Sequence, residues 1–344
     1  MGNFMTYRDI IHQNRFHHSS VNWWPLYAYH FTDIQNAVSI LKEEYLYSRY
    51  DAKRLNIMRN DNASRQVIDM TYSGATADVR FYFRPLTPTQ YHNEGFKHPD
   101  LRYCGDINAN VPVPVFFAFD LESLLSMEDV SFSEKSQAGG GCQLCNTLEE
   151  FSQFNFDQIY NNRWMQNIDE EKKYRQAELI TKGPFSINSC LYAILCRNEV
   201  EKITLLNLLR TESPKSYSKY KDKIKVCKEN MFECNGLYIT DCRYFDGKAS
   251  IAFSNTYEKR SYINRYKKTE LRPLEATIDF DWVSAKTLIN RQSTKFQINY
   301  ETQSGVQFSG LCKPKNAKTI YTKIIIEGHL MCFMGQQLVE AALL

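Results

Sequence analysis

The chain has no run of the about 20 apolar residues that a membrane-spanning helix needs, and its first residues lack the apolar stretch of a secretory leader, so a cytoplasmic protein is expected. Its cysteines, dispersed from Cys104 to Cys332, lack the spacing of a disulfide framework and are expected to be reduced thiols. One Cys-x-x-Cys occurs, Cys142 and Cys145 after three glycines, but a zinc ribbon needs a second pair and none follows. No metal site is therefore expected. No Gly-x-Gly-x-x-Gly follows a strand-like run, which argues against a Rossmann dinucleotide site, and no Ser-His-Asp or Cys-His arrangement has local support. Strong charge of one sign is missing too: a net charge of +3 does not by itself announce a polyanionic partner. Repeats and low-complexity tracts are absent.

Aromatic side chains are plentiful. With 22 Tyr and 21 Phe in a chain that is 43% hydrophobic, some rings should reach the surface, where they suit base stacking. Several β-rich cores would absorb the same rings. A length of 344 residues supports a large core in one domain or two.

The pattern predicts an α+β fold in three stretches. Residues 1–24 read as a polar, His-rich lead-in or capping helix, 25–210 as a mixed domain, and 211–344 as a β-rich basic extension. Leu26 to His30 reads as a buried strand, and Thr32 as the N-cap, with Gln35 in the capping-box position, of a helix through Ile34, Ala37, Val38 and Leu41. Arg49 to Gly74 reads as a long loop or irregular helix, a kind of segment that is often functional. Further strands are expected at Val79–Phe83, Val111–Phe119, Ala177–Thr181 and Cys190–Cys196, a helical stretch over Leu148–Lys173, and a helix capped by Asn198. The extension shows strand patterns near Asn235–Thr240, Ile251–Phe253, Ala276–Phe280, Lys295–Tyr300, Val306–Phe308 and Lys323–Glu327.

Three short strings stand out: Tyr29-His30-Phe31-Thr32-Asp33-Ile34, Phe81-Tyr82-Phe83-Arg84-Pro85-Leu86-Thr87-Pro88 and Gln176-Ala177-Glu178-Leu179. The first and third each set one polar group in an apolar β-like run, as a fold does to hold an imidazole and a carboxylate at the floor of a cleft. Breaking a nicotinamide glycosidic bond builds positive charge on the ribose, and a carboxylate held nearby stabilises it. Glu178 is the candidate for that work.

In order and spacing the three strings resemble the motifs of the DarT family, whose members are toxin-type ADP-ribosyltransferases that use NAD to modify bases in single-stranded DNA. The resemblance covers roughly residues 25 to 210, with Phe156-Asp157-Gln158-Ile159 and Trp164 at comparable spacing. It departs at Asp33, where relatives have a second histidine, and at Leu86-Thr87-Pro88-Thr89, where many have Arg-Ser-Pro-Met. It implies a split-sheet ADP-ribosyltransferase core with flanking helices, with NAD as a substrate. Glu178 then orients a ribose hydroxyl, and His30, with Tyr29 and Thr32, meets the dinucleotide by donating to a ribose hydroxyl or the pyrophosphate. An arginine in the loop before Phe81 serves NAD and base activation; Arg65 fits by distance, and Arg59 nearly as well. A guanidinium is a poor general base, because its pKa exceeds about 12, which favours charge stabilisation for this residue.

Arg84, Thr89, Lys97, Lys267 and Lys268 are the expected nucleic-acid contacts. The last two lie in a basic stretch with Lys259 and Arg260, interleaved with tyrosines. The resemblance implies transfer to a base, expected to be thymine, in single-stranded DNA, and a macrodomain antitoxin of the DarG type as partner. An RNA base as target, an NAD glycohydrolase, and a nucleic-acid-binding module without catalysis stay open as alternatives.

Overall fold

A computed structural model describes residues 5–61, 77–102, 105–106, 108–137, 142–255, 259, 263–264, 271–285 and 287–338. The chain forms two compact units, each assembled from separated segments. The first comprises Met1–His92, Val115–Leu195 and Glu229–Glu233, and the second Asn93–Pro114, Cys196–Lys228 and Cys234–Leu344.

The first unit opens with α1 (Tyr7–His17), started by a reciprocal capping box between Thr6 and Asp9. Strand β1 (Tyr27–Asp33) runs directly into α2 (Ile34–Glu43). The residue that caps α2 is Asp33, whose carboxylate accepts from the Gln35 amide at 2.9 Å, and not Thr32, which stays in the strand. Asp33 thus serves as a capping group. After β2 (Tyr45–Leu46) and α3 (Arg49–Arg54) come β3 (Asp78–Tyr82), β4 (Pro114–Asp120), β5 (Val130–Ser133), β6 (Glu178–Lys182), β7 (Phe185–Ser186) and β8 (Leu191–Cys196). The main sheet runs β5-β6-β3-β1-β4-β8, while β2 pairs with β7. Neighbours β3 and β6 are antiparallel and paired over five positions, Asp78↔Lys182 to Tyr82↔Glu178.

β4 is buried on both faces, as a central strand must be, so its apolar run does not alternate. Its rings interlock with those of β3: Phe81 lies edge-on to Phe119 at 5.2 Å and to Phe185 at 5.1 Å. Phe132, Phe151, Phe154 and Phe156 form a second ring cluster. Many of the described rings are therefore core, although Trp164 is 92% exposed. The expected helical stretch over Leu148–Lys173 is three short helices, Leu148–Ser152, Phe156–Ile159 and Ile168–Tyr174, because Asn155 and Asn167 each cap a new start.

In the second unit, helix Glu199–Glu212 is capped by Asn198 as expected. The strands are β9 (Ile224–Val226), β10 (Ile239–Phe245), β11 (Lys248–Phe253), β12 (Leu274–Ser284), β13 (Thr287–Ile298), β14 (Gly305–Phe308), β15 (Thr319–Ile326) and β16 (His329–Gln337). Apart from β9, they build a β10-β11-β14 sheet and a β13-β12-β15-β16 sheet. Along β12 strict alternation buries Leu274, Ala276, Ile278, Phe280 and Trp282. The β16 strand was not anticipated from its mixed composition; it is held to the helix by Asn207 Nδ2, which donates to the Phe333 carbonyl at 3.0 Å. Among the described residues no helix is long and apolar enough to cross a membrane.

Candidate active site

A single cross-strand row passes through the first unit's sheet: Tyr29 registers with Tyr82, Tyr82 with Glu178, and Glu178 with Ser133. Glu178 heads β6 and is 2% exposed. Its Oε1 accepts from the Gln137 backbone amide at 2.7 Å, and its Oε2 lies 3.4 Å from Arg80 Nη1. Burial pushes the carboxyl above its usual range, while the Arg80 guanidinium and the Gln137 amide pull it back. The phenol of half-buried Tyr82 is pushed up to about 12 by loss of water and by nearby Glu178, and stays neutral.

His30 follows Tyr29 on β1 and is half-buried, with Nδ1 3.1 Å from the Arg80 carbonyl. A carbonyl only accepts, so Nδ1 carries the proton. Burial lowers the imidazole's pKa against the smaller opposing effect of that hydrogen bond, which favours the neutral ring with a lone pair on Nε2. In this tautomer Nε2 offers a lone pair, so the imidazole can accept as well as donate once protonated. Arg80 thus touches both candidate groups, His30 through its carbonyl and Glu178 through its side chain. The sequence reading missed Arg80 and Gln137. The available signal was a cation alternating with Val79, Phe81 and Phe83 in an otherwise apolar strand.

Tyr29 is fully buried, its hydroxyl near the Trp23 and Trp24 carbonyls, and Thr32 is buried as well. Thr89 accepts from Gln176 Nε2 at 3.1 Å, which ties it to the motif that carries Glu178. Arg84, expected at a phosphate, is 1% exposed; it donates to the carbonyls of Pro85, Ile159 and Asn161 and lies over the Trp24 ring. Burial and the nearby Arg175 draw its pKa down to about 9. In the second unit Lys97 is fully buried, with Nζ donating to the Glu94 carbonyl, and Lys259 is buried with Nζ on the Gln303 carbonyl. Arg59 lies on a stretch pinned to α2, since Asn36 Oδ1 accepts from the Arg59 and Asn60 amides. Arg65, Arg260, Lys267 and Lys268 lie outside the described residues.

Cys142 and Cys145 are free thiols. The described residues with metal-ligand proximity are His17, His18 and Asp157, whose Nε2 atoms stand 3.1 Å and 3.4 Å from Asp157 Oδ1.

The arrangement is a buried carboxylate with one oxygen held by an amide and the other facing a guanidinium, linked through Arg80 to an imidazole on the neighbouring strand. The family model described as "ssDNA thymidine ADP-ribosyltransferase, DarT" matches residues 29–232. The chain belongs to the DarT family, the NAD-dependent ADP-ribosyltransferases of thymidine in single-stranded DNA.

Among solved structures it is similar to Thermus sp. 2.9 DarT in complex with ADP-ribosylated ssDNA, with 16% identity, a TM-score of 0.48, and coverage of 60% of this chain and 96% of that one. The same protein in complex with carba-NAD+ aligns at 15% identity and TM-score 0.46, covering 60% and 98%. Thermosipho africanus DarTG in complex with ADP-ribose aligns at 15% identity and TM-score 0.43, covering 54% and 48%. No curated protein matches.

Proposed function

We propose that Glu178 is the carboxylate that meets the ribose charge during transfer, and that His30 and Thr32 hold the dinucleotide. The nicotinamide nitrogen to C1′ bond breaks, nicotinamide leaves neutral with the bonding electrons, and C1′ is captured by a ring nitrogen of thymine whose proton passes to solvent water. Glu178 Oε2, facing only the longer Arg80 contact, accepts from a ribose hydroxyl; His30 Nε2 accepts from another. The observation that carries this reading is the burial of Glu178 against the Gln137 amide and Arg80, since a carboxylate kept out of water acts on a developing cation with little screening.

An arginine of the loop before Phe81, Arg65 or Arg59, stabilises charge on the acceptor side. Lys267 and Lys268 follow the DNA backbone, Thr89 positions the motif that faces it, and the fully exposed edge of Trp164 offers a stacking face. As a toxin the protein works inside the cell and is countered by a macrodomain antitoxin of the DarG type.

The test supplies NAD with single-stranded DNA, double-stranded DNA or RNA and reads base-attached ADP-ribose by mass spectrometry. The expected product is ADP-ribosyl thymidine on single-stranded DNA. Free ADP-ribose with unmodified oligonucleotides would establish a glycohydrolase instead, and modified RNA alone would move the substrate.

A further inference from the structure

We propose that Arg80 is a positioning residue of the transfer reaction, its side chain holding the Glu178 carboxylate ready while its backbone carbonyl sets the orientation of the His30 ring. The inference rests on the roles given above to Glu178 and His30.

The local pattern of β3 explains why a cation there needs a purpose. Val79, Phe81 and Phe83 alternate into the core at 2% exposure or less. Arg80 sits between them on the other face, its side chain only 23% exposed. A guanidinium that has lost most of its water is costly unless it is hydrogen-bonded or paired, and the Glu178 carboxylate lies 3.4 Å from it.

The groups facing Glu178 across the sheet are Arg80 and Tyr82 from β3 and Ser133 from β5, with the Gln137 amide from the following segment. Tyr82 is neutral, and Lys135, beyond β5, is engaged with Glu170 and the Tyr174 ring. Arg80 is thus the cation among these groups that opposes the effect of burial on the carboxylate. Its contact is a single 3.4 Å approach, not a bidentate clamp, so Oε2 keeps lone-pair capacity for a sugar hydroxyl. Because the His30 contact runs through the main chain, side-chain variants at position 80 separate the two roles.

The test compares Arg80→Met and Arg80→Lys with the parent in pH–rate profiles, using NAD and a thymine-containing oligonucleotide. In Arg80→Met the acidic limb of kcat should move up by about 1–3 pH units, the range an adjacent arginine commonly shifts a carboxyl. The rate at pH 7 should fall and recover toward alkaline pH. KM for NAD should stay within about twofold, since the contact to His30 is main-chain. Arg80→Lys should recover part of the shift. A Met variant with the parental kcat and limb overturns the proposal, as does one that loses rate equally at every pH, which marks a merely structural residue. Glu178→Gln in the same assay distinguishes the layers: if it is inactive while Arg80→Met is normal, only the role of Arg80 fails, whereas an active Glu178→Gln overturns both.

Discussion

Replacing Glu178 should abolish transfer while leaving NAD bound, and two substitutions separate chemistry from folding. Alanine removes the charge, the acceptor of the Gln137 amide and the partner of Arg80 at once. The orphaned amide alone costs about 1–3 kcal/mol, a tolerable fraction of the about 5–15 kcal/mol that holds a domain together. Glutamine keeps a carbonyl oxygen for that amide and nearly the same volume, and replaces the charge and the Oε2 acceptor with an NH2 group facing Arg80. At 2% exposure no bulk water takes over its role. Loss of one preorganised group of this kind costs about 100-fold to 1,000-fold in kcat, or about 3–4 kcal/mol of transition-state stabilisation. Both variants should reach that range, with NAD affinity by calorimetry close to parental. The stability sign is also defined. Burial raises this carboxyl above its usual 4.5, so the contribution Glu178 makes to folding is present below pH 4.5 and lost as pH rises through the raised value. Glu178→Gln should therefore be at least as stable as the parent at neutral pH, with the difference closing below about pH 4. Parental turnover in a folded glutamine variant would refute the assignment.

Three further outcomes are expected. His30→Ala should weaken NAD binding more than oligonucleotide binding, and in the parent NAD affinity should fall as acid protonates Nε2, at a pH below the usual imidazole value of 6.5; equal losses for both ligands in calorimetry would indicate a folding defect. Asp33→Ala removes the α2 cap and should lower stability by about 1 kcal/mol in denaturant titration, whereas Thr32→Ala should leave the cap intact. In the second unit Arg272 pairs bidentately with Glu327 at 2.7 Å and 2.9 Å, and the Glu327 carboxyl falls to about 2. A depressed carboxyl stabilises the fold above its ordinary 4.5 and loses that effect as pH falls toward 2. Glu327→Gln should thus lower Tm at pH 7 and match the parent more closely at pH 3, to a modest extent because Arg272 is half exposed.

Much of the site's scaffold was legible because it is written in neighbouring residues. The strand carrying His30 and the helix after it follow from apolar spacing, and Asn198 announces its helix by the same capping chemistry that operates at Asp33. The order of the three motifs led to the family. What the sequence hid depends on partners far along the chain. Arg80 meets Glu178 across 98 residues, and no local pattern marks that pairing. Arg84 and Lys97 read as free cations until distant or buried carbonyls are known to enclose them. The helical stretch before Glu178 misled because Asn155 and Asn167 are ordinary polar residues until their side chains are seen capping new helices.

The short segment Glu229–Glu233 belongs with the first unit although more than thirty residues of the second precede it in the chain. Gln90, fully buried, donates through Nε2 to the Met231 carbonyl at 2.6 Å, and Phe232 lies edge-on to Phe116 at 5.4 Å. Until Met231 is in place, the Gln90 amide has lost that acceptor and one edge of the central strand lacks a ring. On a ribosome, where residues emerge in order, the unit that carries Glu178 is complete only after this late segment has left the tunnel. The family match ends at residue 232, in the same segment. A fragment cut after residue 210 would keep every catalytic motif and yet lack a piece of its own core. Synthesis order thus delays completion of a DNA-modifying unit until more than two thirds of the chain exists.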